Sequence, residues 1–216
     1  MSKLGEKQTL SIVQMERFGA YLGDSSQKVL LPAKQLPANA KIGDAIEVFV
    51  YRDSEDRPIA TVHEPKITQG EIGILQGKQI TKIGAFLDWG LEKDLLLPFA
   101  QQIGNVEAGF FYPVALYDDK SGRLAATMWI DRYIRAGSID EKNKKKALIR
   151  MQTDAENIFV KIQKMGNLLP YDDKADPELI KKDFGLSKNA FKKAAGILYK
   201  AGRIDIKPGQ IVIKSM

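Results

Sequence analysis

The chain has 216 residues, 44% of them hydrophobic, a net charge of +6 and no cysteine. The missing cysteines exclude disulfides, cysteine-ligated zinc fingers and thiol catalysis, and fit a reducing cytoplasm. No run approaches the roughly 18 apolar residues of a membrane span, and Met1–Glu6 holds no signal-peptide segment, so neither membrane nor targeting is expected.

The charge is unevenly placed. Residues 1–140 hold 16 Lys/Arg and 18 Asp/Glu, whereas residues 141–216 hold 17 and 9. A basic C-terminal part reads as an electrostatic footprint for phosphates, or as a solvated helix surface.

In chain order, one short stretch comes first because it occurs twice. Arg17-Phe18-Gly19-Ala20-Tyr21-Leu22 returns as Lys82-Ile83-Gly84-Ala85-Phe86-Leu87, and Leu30-Leu31-Pro32 returns as Leu96-Leu97-Pro98. Tyr51, Arg57, Ala60 and Thr61 return as Tyr117, Arg123, Ala126 and Thr127. The offset is 65 for the first block and 66 afterwards, so one insertion separates the early strands. Alternating apolar residues around Gly19 and Gly84 predict bent strands with one buried face. Five short strands in about 65 residues predict a small OB-type barrel, made twice.

Such barrels bind single strands by stacking bases on exposed aromatics while cations track the backbone. The candidates in the first copy are Arg17, Phe18 and Tyr21, with Lys34. Two aromatics three apart in a regular strand face opposite ways, so at most one of Phe18 and Tyr21 is ordinary core unless the glycine bulge intervenes. The second copy offers Lys82, Phe86 and Trp89, the last either stacking on a base or capping its barrel. His63, the only histidine, reads as a linker residue beside Glu64-Pro65. Gly70–Lys78 looks like a phosphate-binding loop but fails the pattern: Ile72 stands at its first glycine and Gln79 at its Ser/Thr.

Lys142, Lys144, Lys145, Lys146 and Arg150 read as an exposed basic linker or helix surface. From residue 151 the period turns helical. Thr153-x-x-Glu156 reads as a capping box ahead of Ile158, Phe159 and Ile162, with Gly166 as the stop. Leu168–Tyr171 reads as a candidate short strand, Asp176 caps a helix with Pro177 at its first position, and Gly185 ends it. Ser187 caps a third helix that stops at Gly202. Phe191, Ala194, Ala195 and Leu198 form its buried stripe, and Lys188, Lys192, Gly196 and Tyr199 face away with Lys200 beside them. Two strand-like runs joined at Pro208-Gly209 follow. Three helices and a terminal hairpin describe a winged helix, whose third helix is the usual recognition helix. The predicted fold class is therefore multi-domain. An all-β OB-fold barrel over 1–65 and another over 66–134 precede a basic linker over 135–150 and an α+β winged helix over 151–216.

The repeated Phe18-Gly19-Ala20-Tyr21-Leu22 pattern resembles the S-one domain, the RNA-binding OB-fold named after a ribosomal protein. The doubled Leu-Leu-Pro segments, Tyr51–Arg57, Asp88–Asp94 and the Phe184-Gly185-Leu186-Ser187-Lys188 opening together resemble the conserved virulence factor B family of bacteria. That resemblance implies a cytoplasmic RNA-binding protein acting after transcription, with barrels and winged helix both contributing. Members of that family carry a third barrel where this chain has the basic stretch, and both copies here have Leu-Pro where the S-one unit has a histidine.

The resulting expectation is a non-catalytic protein without cofactor, binding single-stranded RNA through the barrel aromatics and through Lys188, Lys192 and Lys200. One histidine and no cysteine leave no Ser-His-Asp, Cys-His or histidine-zinc site. The alternatives are a duplex-DNA regulator working through the winged helix, or an adaptor on the ribosome or RNA polymerase.

Overall fold

The computed structural model describes residues 3–24, 26–135 and 139–214. Strands β1 (Lys7–Glu16), β2 (Gly19–Gly23), β3 (Lys28–Pro32), β4 (Ala45–Arg52) and β5 (Pro58–Thr61) close into a barrel in the order β1-β2-β3-β5-β4. A parallel pairing of Leu30 with Ile59 closes it. The alternating residues point inward as the sequence requires, with Ile12, Leu22, Val29, Leu31, Val48 and Val50 in the core. The β1–β2 register shifts between Ile12 and Gln14, a bulge that lets β1 curl from β4 to β2. Gly19 has a φ of 155°, and a Cβ there would lie 2.1 Å from the Leu31 carbonyl oxygen. Only glycine fits the bend.

Strands β6 (Ile72–Thr81), β7 (Gly84–Asp88), β8 (Leu95–Pro98), β9 (Phe111–Asp118) and β10 (Leu124–Thr127) repeat the unit in the order β10-β9-β6-β7-β8. The bulge recurs between Gly77 and Gln79, and the glycine constraint recurs at Gly84. A polar latch recurs too. Thr61 Oγ1 donates to Gln35 Oε1 at 2.8 Å, and Thr127 Oγ1 donates to Gln101 Oε1 at 2.7 Å. Each latch ties the last strand to the 3-10 turn that follows the third.

The two barrels share a core. Val48-Phe49-Val50-Tyr51 is buried throughout, so both faces of β4 are covered. Val48 and Val50 fill the first barrel, while Phe49 and Tyr51 pack with Trp89, Leu91 and Ile67 of the second unit. The Trp89 ring meets Phe49 at 5.7 Å and Tyr51 at 6.0 Å, both edge-on. Polar links flank this contact: Lys93 Nζ donates to the Asp53 carbonyl at 2.7 Å, and the Gln69 amide to the Gly5 carbonyl at 2.8 Å.

Helix α1 (Ile139–Lys164) departs from the sequence reading. The basic stretch is not a linker: from Ile139 it is the first half of a single 26-residue helix that crosses the expected 150/151 boundary. Thr153 is not its cap. Thr153 is buried in mid-helix with Oγ1 donating to the Ile149 carbonyl at 2.9 Å, and Glu156 pairs with Arg203 at 2.5 Å. The Lys, Ala, Leu and Arg residues upstream are good helix formers. Half-buried Ile149 on that segment also has barrel residues beside it, so nothing stops the helix at Thr153.

Beyond α1 follow β11 (Leu168–Leu169), α2 (Pro177–Phe184), α3 (Lys188–Lys200), β12 (Ile204–Lys207) and β13 (Gln210–Ile213), with sheet order β11-β13-β12. The capping residues act as their types dictate. Asp176 accepts from the Glu178 amide, Ser187 from the Ala190 amide, and Gly185 ends α2 at a φ of 69°. Phe191, Ala194, Ala195 and Leu198 are all buried against Ile158 and Ile162 of α1. Asn157 clamps this domain to the second barrel, its side chain accepting from the Phe111 amide at 2.7 Å and donating to the Phe111 carbonyl at 3.0 Å. Among the described residues no helix is long and apolar enough to cross a membrane.

Candidate nucleic-acid interface

In the first barrel Phe18 lies in the turn between β1 and β2, and Gly19 redirects the chain behind it. The bend brings Phe18 and Tyr21 together, where a regular strand separates them. Their rings meet edge-to-face at 6.3 Å. Phe18 is 56% exposed and Tyr21 half-buried, so neither ring is ordinary core. The Phe18 carbonyl accepts from the Ala33 amide at 2.9 Å, which anchors the turn to the residue before Lys34. Arg17 and Lys34 are exposed, and neither makes an ion pair among the described residues. Arg57 is engaged, its guanidinium held by Asp53 and Glu55 at 2.8 Å each.

The second barrel presents the same face in modified form. Ile83 takes the place of Phe18 and is 59% exposed. Phe86, half-buried, lines a groove of about 260 Å³ with Ile83, Leu96 and Arg123, over which the β4–β5 hairpin of the first barrel leans. Arg123 reaches across to Asp56 at 3.1 Å. Lys82 is exposed in the β6–β7 turn.

Trp89 is withdrawn from the candidates. It is 2% exposed, wedged between the barrels, and its Nε1 donates to the Lys93 carbonyl at 2.5 Å. It neither stacks on a ligand nor caps its own barrel alone. The signal for this lay in β4, whose unbroken apolar run asks for a partner on its outer face.

On the winged helix Lys192 and Lys200 are exposed on α3, whereas Lys188, in its first turn, is half-buried beside the buried stripe. Lys188 donates to the Lys174 carbonyl at 2.8 Å and Lys192 lies 3.8 Å from Asp173, so only Lys200 of the three lacks a partner among the described residues. Tyr199, 53% exposed, adds a ring to this face. The aromatic pair of the first barrel and the lysines of α3 stand on separate domains. Sequence reasoning missed Trp129, a 55% exposed indole just after β10. Its signal was positional, since it stands 66 residues after His63 in the repeat.

Residues 4–63 and 70–129 each match the family described as the S1 domain, the S-one type, and residues 156–212 match the CvfB-like winged helix domain. The two S1 matches together span more than half of the chain. The uncharacterized protein YitL of Bacillus subtilis is 26% identical over 268 positions, covering 93% of this chain and 90% of that protein. Conserved virulence factor B of Staphylococcus aureus is 24% identical over 242 positions, 80% of each chain. In both alignments the positions outnumber the residues this chain contributes by roughly 65 to 70, about the length of one barrel. A crystal structure of a multidomain protein with nucleic acid binding domains from Streptococcus pneumoniae shares the fold, at a TM-score of 0.52, 17% identity and 98% coverage of both chains.

Proposed function

The chain belongs to the family built from S1 domains and a CvfB-like winged helix, domains of nucleic-acid-binding type, and from that premise we propose that it binds single-stranded RNA to regulate gene expression after transcription. Bases stack on Phe18 and Tyr21 and, in the second barrel, on Phe86. Arg17, Lys34 and Lys82 hold the adjoining phosphates, and Lys188, Lys192 and Lys200 add sequence-independent attraction from α3. No step of catalysis is assigned.

The observation that carries this reading is the Phe18–Tyr21 pair. A ring 56% exposed and held edge-on to a second ring at 6.3 Å offers an oriented flat face at the barrel surface. A single-stranded base is such a partner, and its stacking contributes about 1–3 kcal/mol. A duplex, whose bases are already stacked, has no use for these rings.

The test is binding of labelled single-stranded RNA and of duplex DNA at two salt concentrations. The intact protein is compared with Phe18→Ala/Tyr21→Ala/Phe86→Ala and with Lys188→Ala/Lys192→Ala/Lys200→Ala. RNA preferred, with both variants weaker, is the expected result. Duplex preferred, with the aromatic variant indifferent, would move the function to the winged helix. No binding to either would leave a protein adaptor.

A further inference from the structure

Residues 130–135 and 139–155 fall outside all three family matches, and with Ile103, Met128 and Trp129 of the second S1 match they build a further surface. The first half of α1 folds back toward β9 and the turn after β10, leaving an open groove of about 820 Å³. Ile103, Met128, Trp129 and Ile149 give it an apolar lining, and Arg132, Lys146 and Arg150 supply cations.

The indole is held on a rigid mount. The Trp129 amide donates to Thr127 Oγ1 at 3.1 Å, and Thr127 is itself locked to Gln101. The Met128 amide just before it donates to the Gln101 carbonyl at 2.9 Å. A stiff backbone thus presents a ring that stays 55% exposed beside the groove.

The lining holds three cations, Arg132, Lys146 and Arg150, against two carboxylates, Asp131 and Asp154. Asp131 is already neutralised by Lys146 at 2.7 Å, and Asp154, half-buried on the groove wall, faces Arg150. Arg132, exposed, lies over the Tyr133 ring at 5.0 Å. An exposed indole among cations suits a flexible polyanion with flat faces. A duplex offers the charge without accessible bases, and an acidic peptide offers the charge without rings.

We propose that this groove is a second binding site for a single-stranded polynucleotide, in which one base stacks on Trp129 while Arg132 and Arg150 take the flanking phosphates. The inference rests on the nucleic-acid reading above but uses none of the barrel-face residues. It extends the footprint from the barrels along α1.

The test uses the intact chain and a labelled oligouridylate. The protein has two tryptophans, and Trp89 is shielded, so acrylamide quenching reports chiefly on Trp129. Saturating oligouridylate is expected to protect Trp129 from acrylamide. Trp129→Ala and Arg132→Ala/Arg150→Ala are expected to weaken binding about tenfold, and Trp129→Phe, which keeps a ring, no more than about threefold. Unchanged melting of each variant confirms its fold. If Trp129→Ala binds like the intact chain while Phe18→Ala/Tyr21→Ala is impaired, the groove is overturned and the barrel reading survives. Loss in neither variant alongside displacement by polyglutamate would assign the groove to acidic peptides and overturn the inference. Failure of the intact chain to bind any oligonucleotide would sink both readings.

Discussion

The two tryptophans illustrate how residue type and position part company. Trp89 sits in the loop that carries the one-residue insertion between the repeats, and there it joins Phe49 and Tyr51 in the shared core. Replacing it with alanine is expected to cost about 3–5 kcal/mol, the usual loss for a buried aromatic. Trp129→Ala is expected to stay within about 0.5 kcal/mol, because over half of that ring already meets water. Urea titrations of the two variants check the contrast. The glycines separate in the same way. A Cβ at Gly19 collides with the Leu31 carbonyl, so Gly19→Ala is expected to cost about 3 kcal/mol or more. Gly104, at a φ of 73° with nothing within 4 Å, carries only the left-handed penalty, and Gly104→Ala is expected to cost about 1 kcal/mol. Equal costs in the two variants would mean that the close approach at Gly19 is not what demands glycine.

Among the elements, α1 matters most, since it belongs to two domains. Its N-terminal half lies along the second barrel and its C-terminal half forms the winged-helix core. Asn157, between them, satisfies both backbone groups of Phe111 at the edge of β9. Asn157→Ala is expected to cost about 1–3 kcal/mol by leaving these groups unpaired. Faster hydrogen exchange at the Phe111 amide, with exchange in β1–β5 unchanged, is the readout. The β4–β5 hairpin carries a pH dependence. Desolvation pushes the Asp53 carboxyl up, but hydrogen bonds from the Arg57 amide and side chain and the Glu55 amide outweigh it, and the net shift is downward. A carboxylate with a depressed folded value stabilises the hairpin above the unfolded pKa near 4. That contribution is lost as pH falls through the folded value. NMR titration of the hairpin amides is expected to show loosening below pH 4 in the intact chain and none in Asp53→Asn.

For the whole molecule the governing feature is a division of charge. The barrels carry the exposed rings and a slight negative charge, and the region from α1 onward carries the positive charge. Binding in which barrels supply stacking and the C-terminal part supplies most of the phosphate contacts has a distinct salt signature. Each phosphate contact on a single strand contributes about 0.7 to the slope of log K against log salt. Lys188→Gln/Lys192→Gln/Lys200→Gln is expected to flatten that slope by up to about 2 while leaving Trp129 protection intact. Phe18→Ala/Tyr21→Ala is expected to lower affinity at every salt concentration with the slope unchanged. Fluorescence anisotropy across a salt series separates the two, and a slope that follows the aromatic variant would refute the division.

The repeat, the five-strand units, the bent glycines and the caps Asp176 and Ser187 were legible in the chain, because each is a local matter of periodicity, backbone sterics or a single hydrogen bond. Trp89, Trp129 and Thr153 were not. Whether an indole is buried or offered to solvent depends on which surface arrives from a distant part of the chain: Phe49 and Tyr51 cover Trp89, and nothing covers Trp129. Thr153 looks like a helix cap in its own window of sequence, and only packing of the preceding residues beside the barrel makes it mid-helix. Local chemistry determined the units, and burial between units, which sums over residues far apart in sequence, was decided by the tertiary structure.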